Sequence, residues 1–158
     1  MMVCHFQWWD SKKSITLSLI LCYFFIACVL AAMIAGPWIV GKYYTVGRHM
    51  TPQTEDYAMI LSVAYPMAAL VLAAICSLVG MLYRIRRESP FSVKNVKTLR
   101  FISWCCFLVA LITFVGGFFK IPFWIYTAAS LFLGVILRVI KNVMQQAVEL
   151  REENDLTV

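Results

Sequence analysis

The chain has little charge, and this scarcity is its most informative feature. Only 14% of its residues are charged, while 62% are hydrophobic, a balance far from that of soluble domains. A soluble fold of 158 residues cannot bury so much apolar surface, whereas a membrane protein exposes it to lipid. The composition therefore excludes an ordinary soluble domain and predicts an integral membrane protein.

The residues that most catalytic sites need are also missing. The apolar segments contain no paired carboxylates, and the sequence has no His-Glu helix motif and no glycine-rich phosphate loop. Transporters and proton pumps generally need an ionisable group at membrane depth, and no apolar segment carries one in its middle. We therefore expect no enzyme and no cofactor. His49, a lone histidine in the second quarter of the chain, predicts no metal site.

The six cysteines do not form a redox motif. Four-helix membrane proteins that make disulfides carry a Cys-x-x-Cys pair near the outer surface, and this chain has none. All but Cys4 fall in apolar segments, where cysteine behaves as a small apolar residue. The complete set is Cys4, Cys22, Cys28, Cys76, Cys105 and Cys106. Disulfide chemistry is therefore not expected.

What the sequence does have is four long apolar segments, at about 14–36, 57–83, 101–119 and 123–140. Each is close to the ~20 residues that a helix needs to cross ~30 Å of hydrocarbon. Helices satisfy their own backbone amides, which lipid cannot do. The first segment is too long for a signal peptide. The predicted fold is all-α: a single membrane domain over 1–158, built as an integral four-helix bundle.

Basic residues are distributed unevenly between the two sides that these segments define. With the N-terminus inside, eleven lie inside and three outside. The inner set is Lys12, Lys13, Arg84, Arg86, Arg87, Lys94, Lys97, Arg100, Arg138, Lys141 and Arg151. The outer set is Lys42, Arg48 and Lys120. Because basic loops stay in the cytoplasm, both termini and the 84–100 loop are predicted to be cytoplasmic, and Pro37 to Asp56 to be an external loop.

The cytoplasmic loop contains the stretch ESPFSVKNVKTLR, which predicts a helix start. Pro90 disfavours helical geometry at the residue before it, and Ser92 is a good N-cap. Asn95 then takes the third helical position, as a weaker capping-box partner, and Phe91 and Val96 can form a hydrophobic staple. A capped helix at an anionic leaflet explains all of these residues, so a docking role for them is an alternative rather than a necessity.

Beyond the fourth segment, residues 141–158 predict a cytoplasmic amphipathic helix that extends the span. One face carries an apolar stripe formed by Ile140, Val143, Met144, Ala147 and Val148. The chain ends in the acidic stretch REENDLTV, which is poorly suited to lie on anionic lipid. It could meet the basic loop or a basic partner, and a disordered tail is the other interpretation. A small pocket near Ser62 and Pro66 is likewise an open alternative to ordinary helix packing.

Two motifs of the sequence resemble a known family. The loop SPFSVKNVKTLR and the ending AVELREENDLTV are similar to those of domain of unknown function family 2975, small bacterial proteins with four spans. The resemblance implies a multi-pass protein of the bacterial cytoplasmic (inner) membrane. Genes of such proteins often lie beside a small helix-turn-helix regulator, which implies a partner for the cytoplasmic face.

The resemblance therefore implies a non-catalytic membrane protein that anchors or senses for a cytoplasmic helix-turn-helix transcriptional regulator, without direct contact to nucleic acid. The alternative is an immunity or transport-like protein that binds a lipid, a peptide or a small hydrophobic ligand. Besides the lipid bilayer, a homo-oligomer is left open. The expected partner-binding residues are Pro90, Phe91, Ser92, Asn95, Arg100, Glu149, Glu152, Glu153, Asn154, Asp155, Leu156, Thr157 and Val158.

Overall fold

The computed structural model describes residues 4–47, 54–87 and 92–156, with side chains over 13–42, 58–87 and 92–154. Four helices account for almost all of this chain. They are α1 (Cys4–Gly47), α2 (Thr54–Arg87), α3 (Val93–Gly117) and α4 (Phe123–Leu156). Each contains a stretch long and apolar enough to cross a membrane, so the all-helical, four-span expectation is confirmed.

The first helix is longer than the sequence suggested. We expected it to end near Gly36 and Pro37 to open an external loop reaching Asp56, but α1 continues through Pro37 to Gly47 and α2 already begins at Thr54. That loop prediction is wrong for residues 37–47 and 54–56. At 44 residues, or ~66 Å at ~1.5 Å per residue, α1 far exceeds the ~30 Å hydrocarbon layer.

The helices pack in chain order. Over the described ranges, α1 contacts α2, α2 contacts α3, and α3 contacts α4, with no close backbone approach between α1 and α4. The four helices therefore follow one another as an array in which α3 has helices on both sides. The buried residues are concentrated on α3, where they include Val96, Leu99, Ile102, Cys105 and Val109. The outer helices α1 and α4 present most of their apolar side chains to the surroundings.

The pair α3 and α4 forms an antiparallel hairpin, joined by the short segment around Lys120. Thr127 Oγ1 donates to Thr113 Oγ1 at 3.0 Å, and Ser103 Oγ donates to the Gly134 carbonyl oxygen at 3.0 Å. The second bond requires close approach of the helices. Gly134 permits it, because a Cβ there would lie only 3.3 Å from the Phe107 ring.

The turn between these helices is held by aromatic packing. Gly116 O accepts from the amides of Phe119 and Lys120, both at 3.1 Å, which closes the end of α3. Beside this turn the rings of Phe114, Phe118 and Trp124 meet edge to face, with centroids 5.2 to 5.9 Å apart. Edge-to-face rings at this spacing are favourable beyond the area they bury. The hairpin is thus fixed at its tip as well as along its length.

The fourth helix runs without a break past its apolar segment. It has 34 residues, or ~51 Å, so roughly two fifths of it lies beyond the ~30 Å hydrocarbon layer. The Arg138 guanidinium lies over the rings of Trp104 and Phe107, at 5.7 and 6.0 Å from their centroids. This cation–π contact is what a basic side chain near the edge of the membrane can make with α3. The continuous helical extension to Leu156 agrees with the sequence; the side of the membrane on which it lies stays a prediction.

Candidate functional site

The start of α3 is built as the sequence predicts. Ser92 has extended backbone angles, φ −131° and ψ 141°, and its side-chain oxygen accepts from the Lys94 amide at 3.4 Å. The Ser92 carbonyl oxygen accepts from the Asn95 amide at 2.9 Å. Ser92 is therefore the N-cap of α3 and supplies acceptors for amides that lack a partner within the helix.

A second contact joins this helix start to the end of α2. Arg84 Nη2 donates to Thr98 Oγ1 at 2.6 Å, and Thr98 Oγ1 donates to the Lys94 carbonyl oxygen at 3.0 Å. Because the bond to Arg84 is charge-assisted, it is stronger than a neutral hydrogen bond. It fixes the two helices that flank residues 88–91. In the sequence, Arg84 counted only as one of the basic residues that predict the orientation, so its contact with Thr98 was not predicted.

Some residues of the loop motif are buried and others are exposed. Asn95 is fully buried, and Val96 and Leu99 are nearly so. Arg100 is exposed. The buried Asn95 side chain does not lie on the surface, and its expected role in partner binding stays a prediction. Pro90 and Phe91, including the predicted staple to Val96, lie outside the described residues.

The acidic end of α4 lies on the same side of the protein as the start of α3. The hairpin register is set by Ser103 opposite Gly134. Continuing it about ten residues along each helix, at ~1.5 Å per residue, places Val93 level with Met144. The end of α4 therefore projects past the start of α3. Its exposed polar side chains are Glu149, Glu152, Glu153 and Asn154.

The expected apolar stripe of this extension is split between two environments. Val148 is buried, and Met144 and Ala147 are half-buried, whereas Ile140 and Val143 are exposed. On the polar side, Gln145 Nε2 donates to Glu149 Oε1 at 3.0 Å, one turn along the helix. For Asp155 and Leu156 only the helical backbone is described, and Thr157 and Val158 lie outside the described residues. The described part of the expected partner-binding set thus clusters at one end of the protein without forming a single enclosed site.

A different feature lies between α1 and α2. An apolar groove of about 270 Å³ opens between these helices. It is lined by Val29, Ala32, Met33 and Gly36 of α1 and by Leu61, Ala64, Tyr65, Met67, Ala68 and Val71 of α2. Ser62 and Pro66, where the sequence left a pocket open, are exposed and do not line it. The Ser62 hydroxyl instead donates to the Met59 carbonyl oxygen of its own helix at 2.7 Å.

One hydrogen bond beside this groove satisfies a backbone carbonyl that has lost its helical donor. Tyr65 donates its hydroxyl to the Met33 carbonyl oxygen at 3.2 Å. Met33 lies four residues before Pro37, and proline has no N–H to serve that carbonyl. The sequence shows that Pro37 leaves the Met33 carbonyl oxygen without a helical donor. It does not show that Tyr65 supplies one, because that depends on how α1 packs against α2.

Potential metal ligands and thiols also occur among the described residues. Across the described residues no three His, Cys, Asp or Glu side chains are close enough to hold a metal ion. The thiols of Cys22, Cys28, Cys76, Cys105 and Cys106 are unbridged. His49 falls outside the described residues. The two features described above, the acidic end of α4 and the α1–α2 groove, are the basis of the functional interpretation.

Family membership follows from a comparison over most of the chain. Residues 15–158 match the family described as "Protein of unknown function (DUF2975)". The chain belongs to the DUF2975 family. No curated protein and no solved structure matches it. The match begins in α1, so the family relationship covers the first helix as well as the two motifs that suggested it. With four helices apolar enough to cross a membrane, this DUF2975 protein is of the multi-pass membrane type.

Proposed function

We propose that this DUF2975 protein is a non-catalytic component of the bacterial inner membrane that anchors, or senses for, a cytoplasmic helix-turn-helix regulator. The proposal depends on the structure of the end of α4. It continues as helix beyond the span and exposes Glu149, Glu152 and Glu153 at the same end as the capped start of α3. The family resemblance supplies the kind of partner.

The chemistry of this end suits a DNA-binding protein. Such a protein carries a basic surface, and exposed carboxylates attract that surface and compete with DNA for it. Individual exposed ion pairs contribute only about 0–1 kcal/mol, so charge alone gives weak selectivity. Specific recognition then depends on Asn154 and on the terminal residues Asp155 to Val158, where Leu156 and Val158 add apolar contact.

The loop contributes to this face through its outer residues. Ser92 and Asn95 build the start of α3, as the cap and as a buried side chain. Direct contact falls to Pro90, Phe91 and Arg100. In this arrangement Ser92 and Asn95 position the docking face by fixing where α3 begins.

The test compares variants of the full chain in native membranes. Deleting Leu156 to Val158 should reduce co-purified regulator about tenfold and change reporter output, with the thermal melting of the membrane protein unchanged. Glu152→Lys should weaken binding mildly and in a salt-dependent way. Asn142→Lys, which adds a positive charge at an exposed position about three turns closer to the span, is the control and should leave binding unchanged. A truncated protein that reaches the membrane and retains regulator at the full level would show that the tail is not the docking site.

The α1–α2 groove favours the second candidate, a protein that binds a lipid, a peptide or a small hydrophobic ligand, as immunity or transport-like proteins do. Its lining is almost wholly apolar and its volume is about 270 Å³, just below the usual range for small-molecule sites. Ala68→Trp fills the groove, whereas Ala69→Trp adds the same ring at an exposed neighbour. Native mass spectrometry of the purified protein should show a retained molecule that only Ala68→Trp removes. Without such a molecule in the unmodified protein, this candidate fails.

A further inference from the structure

The fourth helix carries an exposed, mostly apolar stripe that the fold leaves uncovered. Its members alternate in spacing between three and four residues, as the a and d positions of a heptad repeat do. They are Ile136, Val139, Val143, Gln146 and Leu150, here called the α4 seam. All are exposed, Val143 by 60% and Leu150 by 65%. The same spacing continues back through Phe132 and Ala129 to Ile125, all exposed as well.

The opposite side of α4 is already occupied. Thr127, Gly134 and Val148 are separated by multiples of seven residues; the first two bond to α3, and Val148 is buried. These contacts fix the rotation of α4 about its own axis, so the seam faces away from the rest of the chain. A helix that is apolar on two opposite sides has one partner in its own fold and room for a second.

Lipid explains only part of the seam. Within the span, an outward-facing apolar surface is expected on any membrane helix. Measured from Phe123, where α4 begins, ~30 Å of hydrocarbon reaches to about Val143, whereas α4 is ~51 Å long. Val143 therefore lies at the edge of the acyl chains and Leu150 about 10 Å beyond it, yet both keep the same register and are exposed. A stripe that keeps its register from lipid into water calls for a partner that does the same.

The polar member of the seam, Gln146, lies between Val143 and Leu150 in the extension. It is uncharged, and its side-chain amide both donates and accepts hydrogen bonds. In coiled coils a single polar residue at a core position sets the register of the pair, at some cost in stability. Two Gln146 amides that meet across a two-fold axis can bond to each other. Gln146 is therefore compatible with pairing of the seam and favours the register in which equal residues meet.

We propose that the α4 seam is the interface with a second copy of this chain, formed as a parallel two-stranded coiled coil of α4 helices. A soluble partner could cover only the extension, and lipid only the span. A second α4 follows the seam over both. The asymmetry of basic residues inserts every copy with the same orientation, so two α4 helices run parallel and equal residues meet across a two-fold axis.

The residues that flank the seam are compatible with this pairing. In a parallel coiled coil, each g position faces the e position of the next heptad on the partner. In the extension the g positions are Asn142 and Glu149, and the facing e positions are Ala147 and Asn154. No like-charged pair results. The next d position after Gln146 is Glu153, where two carboxylates would meet, so the seam ends at Leu150.

The interface goes beyond the proposed function and does not depend on it. The seam stops before Leu156, so the truncation that tests regulator docking leaves the seam intact. Loss of the second copy and loss of the regulator are therefore separate results.

The first experiment is disulfide crosslinking of the full chain in membranes, with the six native cysteines replaced. Leu150→Cys places a thiol on the seam, and Glu152→Cys places one on an exposed position off the seam. Mild oxidation should give a covalent dimer with Leu150→Cys about tenfold more efficiently than with Glu152→Cys. Equal crosslinking of the two variants, or none with either, overturns the proposal.

The second experiment keeps the native cysteines. Two copies with different affinity tags are co-expressed, and capture through one tag in mild detergent should recover the other. Leu150→Glu should reduce that recovery about tenfold, whereas Gln145→Glu, which adds the same charge off the seam, should leave it unchanged. Absence of co-capture for the unmodified chain, or an equal effect of both substitutions, contradicts the interface. Capture of a different protein over Leu150, with no second copy, also contradicts it.

Discussion

Tyr65 on α2 donates its hydroxyl to the Met33 carbonyl oxygen on α1, across 3.2 Å, and Met33 is the residue whose helical partner Pro37 cannot supply. Proline inside a helix usually kinks or ends it because the carbonyl four residues earlier loses its donor. In a membrane no water replaces that donor. The tyrosine does, so this carbonyl keeps a donor where α1 continues through Pro37 as a single helix.

This relationship predicts a coupling between two distant residues. Tyr65→Phe should lower the free energy of unfolding by about 0.6 kcal/mol, the usual contribution of a hydrogen bond between membrane helices. Pro37→Ala restores a backbone N–H for Met33, so adding Tyr65→Phe to it should cost much less. The measurement is a double-mutant cycle of unfolding in mixed micelles. Additive effects would show that the hydroxyl does not substitute for the missing N–H.

Because α3 and α4 approach each other closely at Gly134, we expect this position to require glycine. In Gly134→Ala the added methyl would meet the Phe107 ring at 3.3 Å and the Cys106 Cβ at 3.4 Å. It would also strain the bond from Ser103 to the Gly134 carbonyl oxygen. We expect a loss of about 1–3 kcal/mol, as for other overpacked cores, seen as a lower melting temperature in detergent.

The matched control for that substitution is on α2. A Cβ at Gly80 meets no atom within 4 Å, and the position is exposed. Gly80→Ala should therefore leave the melting temperature unchanged or raise it slightly. Equal destabilisation by both substitutions would mean that helix flexibility, not packing at Gly134, sets the requirement.

The cap of α3 predicts an asymmetry between two substitutions at one residue. Ser92→Ala removes the acceptor for the Lys94 amide and should cost about 0.5–2 kcal/mol. Ser92→Asp keeps an acceptor and should be tolerated. Ser18→Ala is the control, since its hydroxyl donates to the Ser14 carbonyl oxygen within α1. If Ser92→Ala melts like the unmodified protein, the cap contributes nothing.

The distribution of basic residues predicts the orientation. In a background without native cysteines, an impermeant thiol reagent added from outside should label His49→Cys and not Ser92→Cys. After the membrane is opened, both should react. Labelling of Ser92→Cys alone from the outside would invert the topology and place the end of α4 outside the cell.

The sequence by itself determined the helical class, the number of spans and the start of α3. These depend on local properties: apolar length against bilayer thickness, and the ability of Ser92 to accept from nearby amides. It also indicated family membership through two short motifs. The continuation of α4 to Leu156 was readable because its helical periodicity persists after the apolar segment ends.

Contacts between helices decided the rest. Pro37 locally favours a helix end, and Tyr65, on another helix, supplies the donor that Pro37 cannot give to the Met33 carbonyl oxygen. Asn95 belongs to the motif that was expected to bind a partner, but the packing of α3 buries its side chain. The extension of α4 has apolar residues on more than one side, so periodicity alone could not say which side faces inward. The close approach at Gly134 fixes that rotation: it buries Val148 and leaves Val143 and Leu150 outside, because the helices can come together only where no Cβ intervenes.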